Sequence, residues 1–146
     1  MIAAFGLAEE TTPGNLKIEA DQICGVHLTL LRPDGSGKAD VQPNKLMIGP
    51  SAGAPIVLAP PGDGLSLAIT EGIEEGLSLH VATGLGVWAA GCASRLPALA
   101  KIIPAYIECV PVVVDDDNAG RQYSTALRSA LRARGFDAPH IAAPRR

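Results

Sequence analysis

Two groups of acids are the residues in this sequence most suited to chemistry. One group lies in residues 70–75 and the other in residues 114–120, and each follows an apolar run that predicts a β-strand. In an open α/β sheet, ligands bind at the carboxyl ends of the strands, where both groups are expected. Gathered carboxylates are the hard oxygen ligands that Mg²⁺ takes together with waters and substrate phosphate. The two groups therefore predict a Mg²⁺ site, with Mn²⁺ as a substitute, at one edge of a sheet.

The second group holds two carboxylates that point the same way. Side chains two residues apart lie on one side of an extended segment, so Asp115 and Asp117 can face one ion while Asp116 faces away. Gly72 and Gly120 follow the two groups and allow a phosphate to approach the backbone closely. Acids near a helix N-terminus also favour the helix dipole and cap the helix, an alternative that is open for either group alone. The presence of both groups, each followed by a glycine, favours a site.

After residue 64, the elements that must position these acids alternate between strands and helices. A helix is predicted to begin near Ile73 and to end at Gly84, and the clearest helix covers residues 118–134. Apolar runs predict strands over residues 65–70, 87–89, 107–114 and 140–143. This order predicts an α/β fold in which helices flank a parallel sheet.

The chain before residue 64 has a different pattern. We expect a poorly ordered lead-in over residues 1–15 and a small β-rich annex over residues 16–62. Within the annex, short strands are predicted over residues 26–31, 46–48 and 55–58, with turn residues at 33–37. The Pro- and Gly-rich residues 60–64 predict the boundary, so that residues 63–146 form the second domain.

The composition excludes several classes of protein. The chain has 146 residues, of which 47% are hydrophobic and 3% aromatic, as expected for one domain with a small annex. It has no apolar run of about 18 residues and no basic, apolar leader, which predicts a cytoplasmic protein without a membrane span. Its three cysteines form no CxxC pair, and residues 32–39 lack the first Gly and the Ser/Thr of a P-loop.

The distribution of charge suggests nucleic acid as a partner. The net charge is −3, but residues 118–146 contain six arginines and one acid, Asp137. Arg121, Arg128 and Arg132 share one face of the predicted helix. This face can be merely solvated, or it can contact phosphates.

The two acidic groups resemble the motifs of the Toprim domain, which primases, topoisomerases and several nucleases share. Residues 67–72 read Leu-Ala-Ile-Thr-Glu-Gly, and residues 113–120 read Val-Val-Asp-Asp-Asp-Asn-Ala-Gly. The Glu-Gly-Ile-Glu sequence, the Trp in residues 84–90 and the Asp-x-Asp-x-Ala-Gly sequence are most similar to phage- and plasmid-type primase Toprim domains. Residues 25–29 and 33–38 resemble the β-rich piece that precedes Toprim in those proteins. The resemblance extends over roughly residues 22–143.

The resemblance implies roles for particular acids. Glu71 would be the general acid/base or a metal ligand in nucleotidyl transfer, and Asp115 and Asp117 would hold Mg²⁺. Glu74 or Glu75 would be a peripheral ligand, and the spacing does not choose between them.

The resemblance also implies a function and partners. We expect a primase-type domain of a replication protein, acting on single-stranded DNA or nucleotides, with a helicase or other replication subunits as partners. A Toprim nuclease and a non-catalytic module for nucleic-acid binding or partner docking are open alternatives, so enzymatic activity is not fixed. Primer-making relatives carry a zinc module and a further polymerase subdomain that do not fit in this length, which suggests a fragment or a stand-alone remnant. Lys38 is a further predicted contact to nucleic acid, and His27 is most simply a structural histidine.

Overall fold

The computed structural model describes residues 1–114 and 116–142. These residues form ten β-strands and three α-helices. The strands make up a five-stranded, a three-stranded and a two-stranded sheet. In the part of the chain so described, no helix is long and apolar enough to cross a membrane.

The N-terminal region is β-rich, as predicted. Its strands are β1 (Ile2–Gly6), β2 (Glu9–Thr12), β3 (Asn15–Lys17), β4 (Ile23–Thr29) and β5 (Lys45–Ile48). Strands β1, β4 and β5 form an antiparallel sheet in that order, and β2 pairs with β3 as a hairpin. We keep the name annex for these five strands and their connections.

The expectation of a poorly ordered lead-in over residues 1–15 is wrong. Strand β1 pairs with β4 along its length, and Phe5 is fully buried. The order of β1 comes from a partner strand about twenty residues later in the chain, so the local pattern of residues 1–15 does not reveal it.

The main sheet confirms the predicted α/β fold. Its strands are β6 (Ile56–Ala59), β7 (Leu67–Thr70), β8 (Gly86–Ala89), β9 (Val112–Val114) and β10 (His140–Ala142). Their order is β10-β9-β7-β8-β6, and every neighbouring pair is parallel except β6 with β8. Strand β6, which we had expected in the annex, is thus the antiparallel edge strand of the main sheet.

Three helices cover this sheet: α1 (Ile73–Thr83), α2 (Leu96–Leu99) and α3 (Asn118–Ala133). Helix α1 ends at Gly84, whose φ of 72° is the left-handed conformation expected of a C-cap glycine. Gly76 lets α1 approach the sheet, because a Cβ at this position would lie only 2.6 Å from Leu58 Cδ1 and 2.9 Å from Thr70 Oγ1.

The core has two parts, one on each face of the main sheet. On one face, Leu67, Ile69 and Val112 pack with Leu127 and Leu131 of α3. On the other face, Ile56, Ala89 and Ile73 of α1 pack with Phe5 of the annex. The annex is therefore joined to the sheet through the buried face that α1 covers.

Candidate metal and nucleic-acid site

The carboxyl ends of β7, β8 and β9 meet at one edge of the sheet. Ile69 of β7 pairs in parallel with Val112 of β9, and Thr70 pairs in parallel with Ala89 of β8. Glu71 directly follows β7, and the Asp-Asp-Asp run directly follows β9. The structure therefore places Glu71 and the described part of that run at the same edge, where ligands bind in α/β sheets.

Hydrogen bonds fix the turn that carries Glu71. The buried Thr70 donates from Oγ1 to the carbonyl of Gly72 (2.9 Å), and Gly91 N–H donates to the carbonyl of Glu71 (2.9 Å). The Glu71 side chain is half-buried, and its Oε2 is shielded from solvent. Glu75, in the first turn of α1, is also half-buried with a shielded Oε2. The backbone of the turn that carries Glu71 is thus fixed before any ligand binds.

Asp117 begins helix α3. It is the N-cap residue, and its Oδ1 accepts a hydrogen bond from Gly120 N–H at 2.6 Å. The capping alternative that the sequence left open thus applies to this residue. A carboxylate accepts through two oxygens, so a cap on Oδ1 is compatible with a metal at Oδ2. Asp116 is exposed and forms an ion pair with Arg121 (Oδ1 to Nη1, 2.6 Å).

The acids at this edge supply some of the donors that a metal ion would need. Asp115, one of its three predicted ligands, lies outside the described residues. Among residues 1–114 and 116–142, no three His, Cys, Asp or Glu side chains are gathered as a metal-binding group. Glu71 and Asp117 are hard oxygen donors at one edge, which is the chemistry that a divalent cation such as Mg²⁺ requires. The donor set fits the ion, and Glu71, Asp115 and Asp117 as its ligands stay a prediction.

Glu74 lies between the Glu71 turn and the annex. Its Oε1 is 3.4 Å from Lys38 Nζ, and its Oε2 is 3.8 Å from the position that a Cβ on Gly72 would occupy. Burial alone would raise the pKa of Glu74, but the hydrogen bond from its own backbone N–H and the charge of Lys38 outweigh burial and lower it. Glu74 is therefore ionised at neutral pH and engaged with the annex; its peripheral metal role is still a prediction.

His27 of β4 is buried at the contact between the annex and the loop that follows β8. A Cβ on Gly91 would lie 3.4 Å from His27 Cδ2, and the imidazole meets the Phe5 ring edge-on at a centroid distance of 6.2 Å. Burial lowers the pKa of His27, and the charges of Lys45, Lys38 and Arg95 lower it further, while Glu74 opposes them. His27 is therefore neutral at neutral pH.

Arg95 is a residue of this region that the sequence did not single out. Its guanidinium donates to the carbonyls of Ala90 (3.0 Å), Ala54 (3.3 Å) and Ser51, and it lies 4.3 Å above the Phe5 ring. These contacts join the carboxyl end of β8 to the loop between β5 and β6 and to Phe5 of the annex. Their partners are distant in sequence, so no local pattern marks the residue.

The arginines of α3 have partners within the protein. Arg121 donates to Asn118 Oδ1 at 2.8 Å in addition to its ion pair with Asp116. Arg128 and Arg132 both donate to the carbonyl of Ala138, at 3.0 and 3.4 Å. Since a guanidinium has five N–H donors, each arginine keeps donors for a phosphate. Their contact with nucleic acid stays a prediction, as does that of Lys38.

Comparison with known families gave two matches. The family model described as Toprim domain matches residues 66–145, and a domain of unknown function (DUF7146) matches residues 15–58. The first match covers more than half of the chain and includes both acidic groups. Searches of curated proteins and of solved structures found no match.

Proposed function

Because the chain belongs to the Toprim domain family, we propose that it is a primase-type nucleotidyltransferase of a replication protein. Membership makes residues 66–145 a metal-binding domain that processes nucleic acid, and domains of this family generally bind Mg²⁺. The primase subtype, the choice of Mg²⁺ and the partners named below are the additions that we propose.

The parallel pairing of β7 with β9 is the observation that carries this proposal. It brings the turn after β7 and the acidic run after β9 to one edge of the sheet. Glu71 is held there by backbone hydrogen bonds from the loop after β8. Two acidic groups at one edge suit a divalent cation, and such a cation suits a reaction in which negative charge gathers on a phosphate.

In this proposal, Glu71, Asp115 and Asp117 hold the cation. When bound, Mg²⁺ neutralises charge on the reacting phosphate and orients it. Glu71 also serves as the general base that accepts the proton of the attacking hydroxyl. Glu74 or Glu75, in the next helical turn, adds a peripheral carboxylate.

The substrates that we propose are single-stranded DNA and nucleotides. Lys38 of the annex and Arg121 in the first turn of α3 supply cations near this sheet edge, and Arg128 and Arg132 continue the same face of α3 toward the opposite edge. A helicase or another replication subunit is the proposed protein partner, since primase-type Toprim domains work within replication proteins.

The test is to incubate the protein with single-stranded template, nucleotides and Mg²⁺ and to resolve the products on denaturing gels. We expect newly made oligonucleotides, and we expect Glu71→Gln to abolish them. Glu108→Gln is the matched control, because Glu108 is exposed and lies before β9, at the opposite edge of the sheet. It should leave synthesis unchanged.

Other outcomes separate the alternatives. Cleavage of the template would replace the primase proposal with a nuclease, and binding without any reaction would indicate a non-catalytic module. Synthesis that survives in Glu71→Gln would contradict the role given to Glu71.

A further inference from the structure

Several cations of the annex and its neighbouring loop face one carboxylate beside the Glu71 turn. Lys45 lies opposite Thr29 across the β4–β5 pair, on the face of the annex sheet that also carries His27. Lys38 pairs with Leu31 as an isolated bridge and reaches the same region, where its charge and that of Lys45 act on His27. Arg95 adds a third cation, and Glu74 is the acid that acts on His27 in this cluster. Three of the charged groups that act on His27 are thus cations, and one is a carboxylate.

The Lys38–Glu74 ion pair is a weak and exchangeable contact. Its two side chains retain 32% and 42% of their solvent exposure, and the charged atoms are 3.4 Å apart. Exposed pairs of this kind contribute little to stability, because water and salt screen them. An anion that brings more negative charge than one carboxylate can therefore displace Glu74 from Lys38.

Glu74 lies between these cations and the Glu71 turn. Oε2 of Glu74 lies over Gly72, the residue after Glu71, while Oε1 faces Lys38. A phosphate group in place of this carboxylate would touch the annex cations on one side and the edge that carries Glu71 on the other. Arg95 is committed to backbone carbonyls, which leaves Lys38 and Lys45 as the side chains that can turn to a ligand.

We propose that Lys38 and Lys45 form a phosphate-binding site of the annex, and that Glu74 fills this site until a nucleic-acid strand or a nucleotide enters. The inference takes its ligand, a nucleic-acid strand or a nucleotide, from the proposed function. It adds a binding site, and it adds Glu74 as the carboxylate that competes with the ligand for this site. Glu74 then acts as a gate, because the strand must replace an existing ion pair before it reaches Glu71.

The test measures binding of two probes without metal: a fluorescent oligothymidylate by anisotropy and thymidine triphosphate by calorimetry. Glu74→Gln removes the competitor, so it should tighten binding of at least one probe about two- to fivefold. The probe that responds identifies the source of the phosphate. Lys38→Gln and Lys45→Gln should weaken binding of that probe. If it is the oligothymidylate, each should lower its salt slope by about 0.7.

Glu19→Gln is the matched control for the loss of one negative charge. Glu19 forms an ion pair with Lys17 at 2.6 Å. The adjoining β2–β3 hairpin contacts Gly62, which precedes β7 and therefore lies at the opposite edge of the main sheet. This variant should leave both affinities unchanged. The inference would be overturned if Glu74→Gln did not increase the binding affinity, or if Glu19→Gln increased it by the same factor. Either result would leave the proposed function standing. Failure of the unsubstituted protein to bind either probe without metal would overturn the inference, and failure to bind them in the presence of Mg²⁺ as well would overturn both.

Discussion

At the scale of single residues, the Asp117 carboxylate has a structural role and a proposed metal-binding role. It caps α3 through Oδ1, and the metal site that we propose needs its other oxygen. Asparagine is as good an N-cap as aspartate but carries no charge. Asp117→Asn therefore separates the two roles, since it keeps the cap and removes the anionic ligand.

His27 predicts how stability depends on pH. Its pKa in the folded protein lies below the ordinary value of 6.5, so below that pH the unfolded chain binds more protons than the folded protein. The contribution of neutral His27 to the free energy of unfolding should be fully present above about pH 6.5. This contribution should be lost as the pH falls from there toward the pKa of the folded state. Urea unfolding at about pH 7 and about pH 5.5 measures the resulting decrease in the free energy of unfolding.

Two variants assign the decrease to His27. In His27→Gln, the decrease between these pH values should be smaller, even though the variant is less stable throughout. His140→Gln, at an exposed position, should show the same decrease as the unsubstituted protein. An undiminished decrease in His27→Gln would show that burial and the charges of Lys45, Lys38 and Arg95 do not hold the imidazole neutral against the opposing charge of Glu74.

At the scale of elements, α3 presents the arginine face whose purpose the sequence left open. If Arg121, Arg128 and Arg132 each contact a phosphate, changing all three to Gln should flatten the salt slope of single-stranded DNA binding by about 2. Changing all three to Lys keeps the charges and should preserve the slope. Titrations of a labelled oligonucleotide at several salt concentrations measure it.

Two of these arginines also make hydrogen bonds within the protein, and the experiment must allow for their loss. Arg128 and Arg132 hold the carbonyl of Ala138, just before β10, so both triple variants lose those hydrogen bonds and serve as controls for each other. An unchanged slope in the Gln variant would leave the arginine face as a solvated surface that supports the fold.

Elements with a strong local pattern were predictable from the sequence. The helices over residues 73–83 and 118–133 and the strand at residues 67–70 agree closely with expectation, since apolar spacing and the glycine at the end of α1 mark them. The strand expected over residues 107–114 is shorter, with β9 covering Val112–Val114. Pro111 has no N–H for the ladder, so regular pairing begins only after it.

The candidate site was predictable only in part, for a similar reason. The position of Glu71 and Asp117 at one edge follows from strand order and from motifs within short segments. The Lys38–Glu74 pair and the contacts of Arg95 depend on how the annex packs against the main sheet. Contacts between residues about forty positions apart leave no local pattern, so the sequence predicted Lys38 as a nucleic-acid contact but neither its pairing with Glu74 nor the contacts of Arg95.

At the scale of the whole molecule, the annex and the Toprim domain share a core. Phe5 packs with Ile73 and Ala89 on one face of the main sheet, and Arg95 lies over the Phe5 ring and donates to the carbonyl of Ala54 beside it. The Glu71 turn is bonded in turn to Gly91 of the loop that packs on Phe5. Because these parts are continuous, an ion bound at the sheet edge should stabilise the whole chain against unfolding.

The melting temperature with and without Mg²⁺ or Mn²⁺ tests the central claim, a metal site formed by Glu71, Asp115 and Asp117. At a metal concentration about 100 times the Kd, mass action should add about 2.7 kcal/mol to the free energy of unfolding and raise the melting temperature by several degrees. Asp115→Asn combined with Asp117→Asn should abolish the rise, while Asp116→Asn, at an exposed and outward-facing position, should keep it. No rise in the unsubstituted protein, or an equal rise in the double variant, would contradict the account.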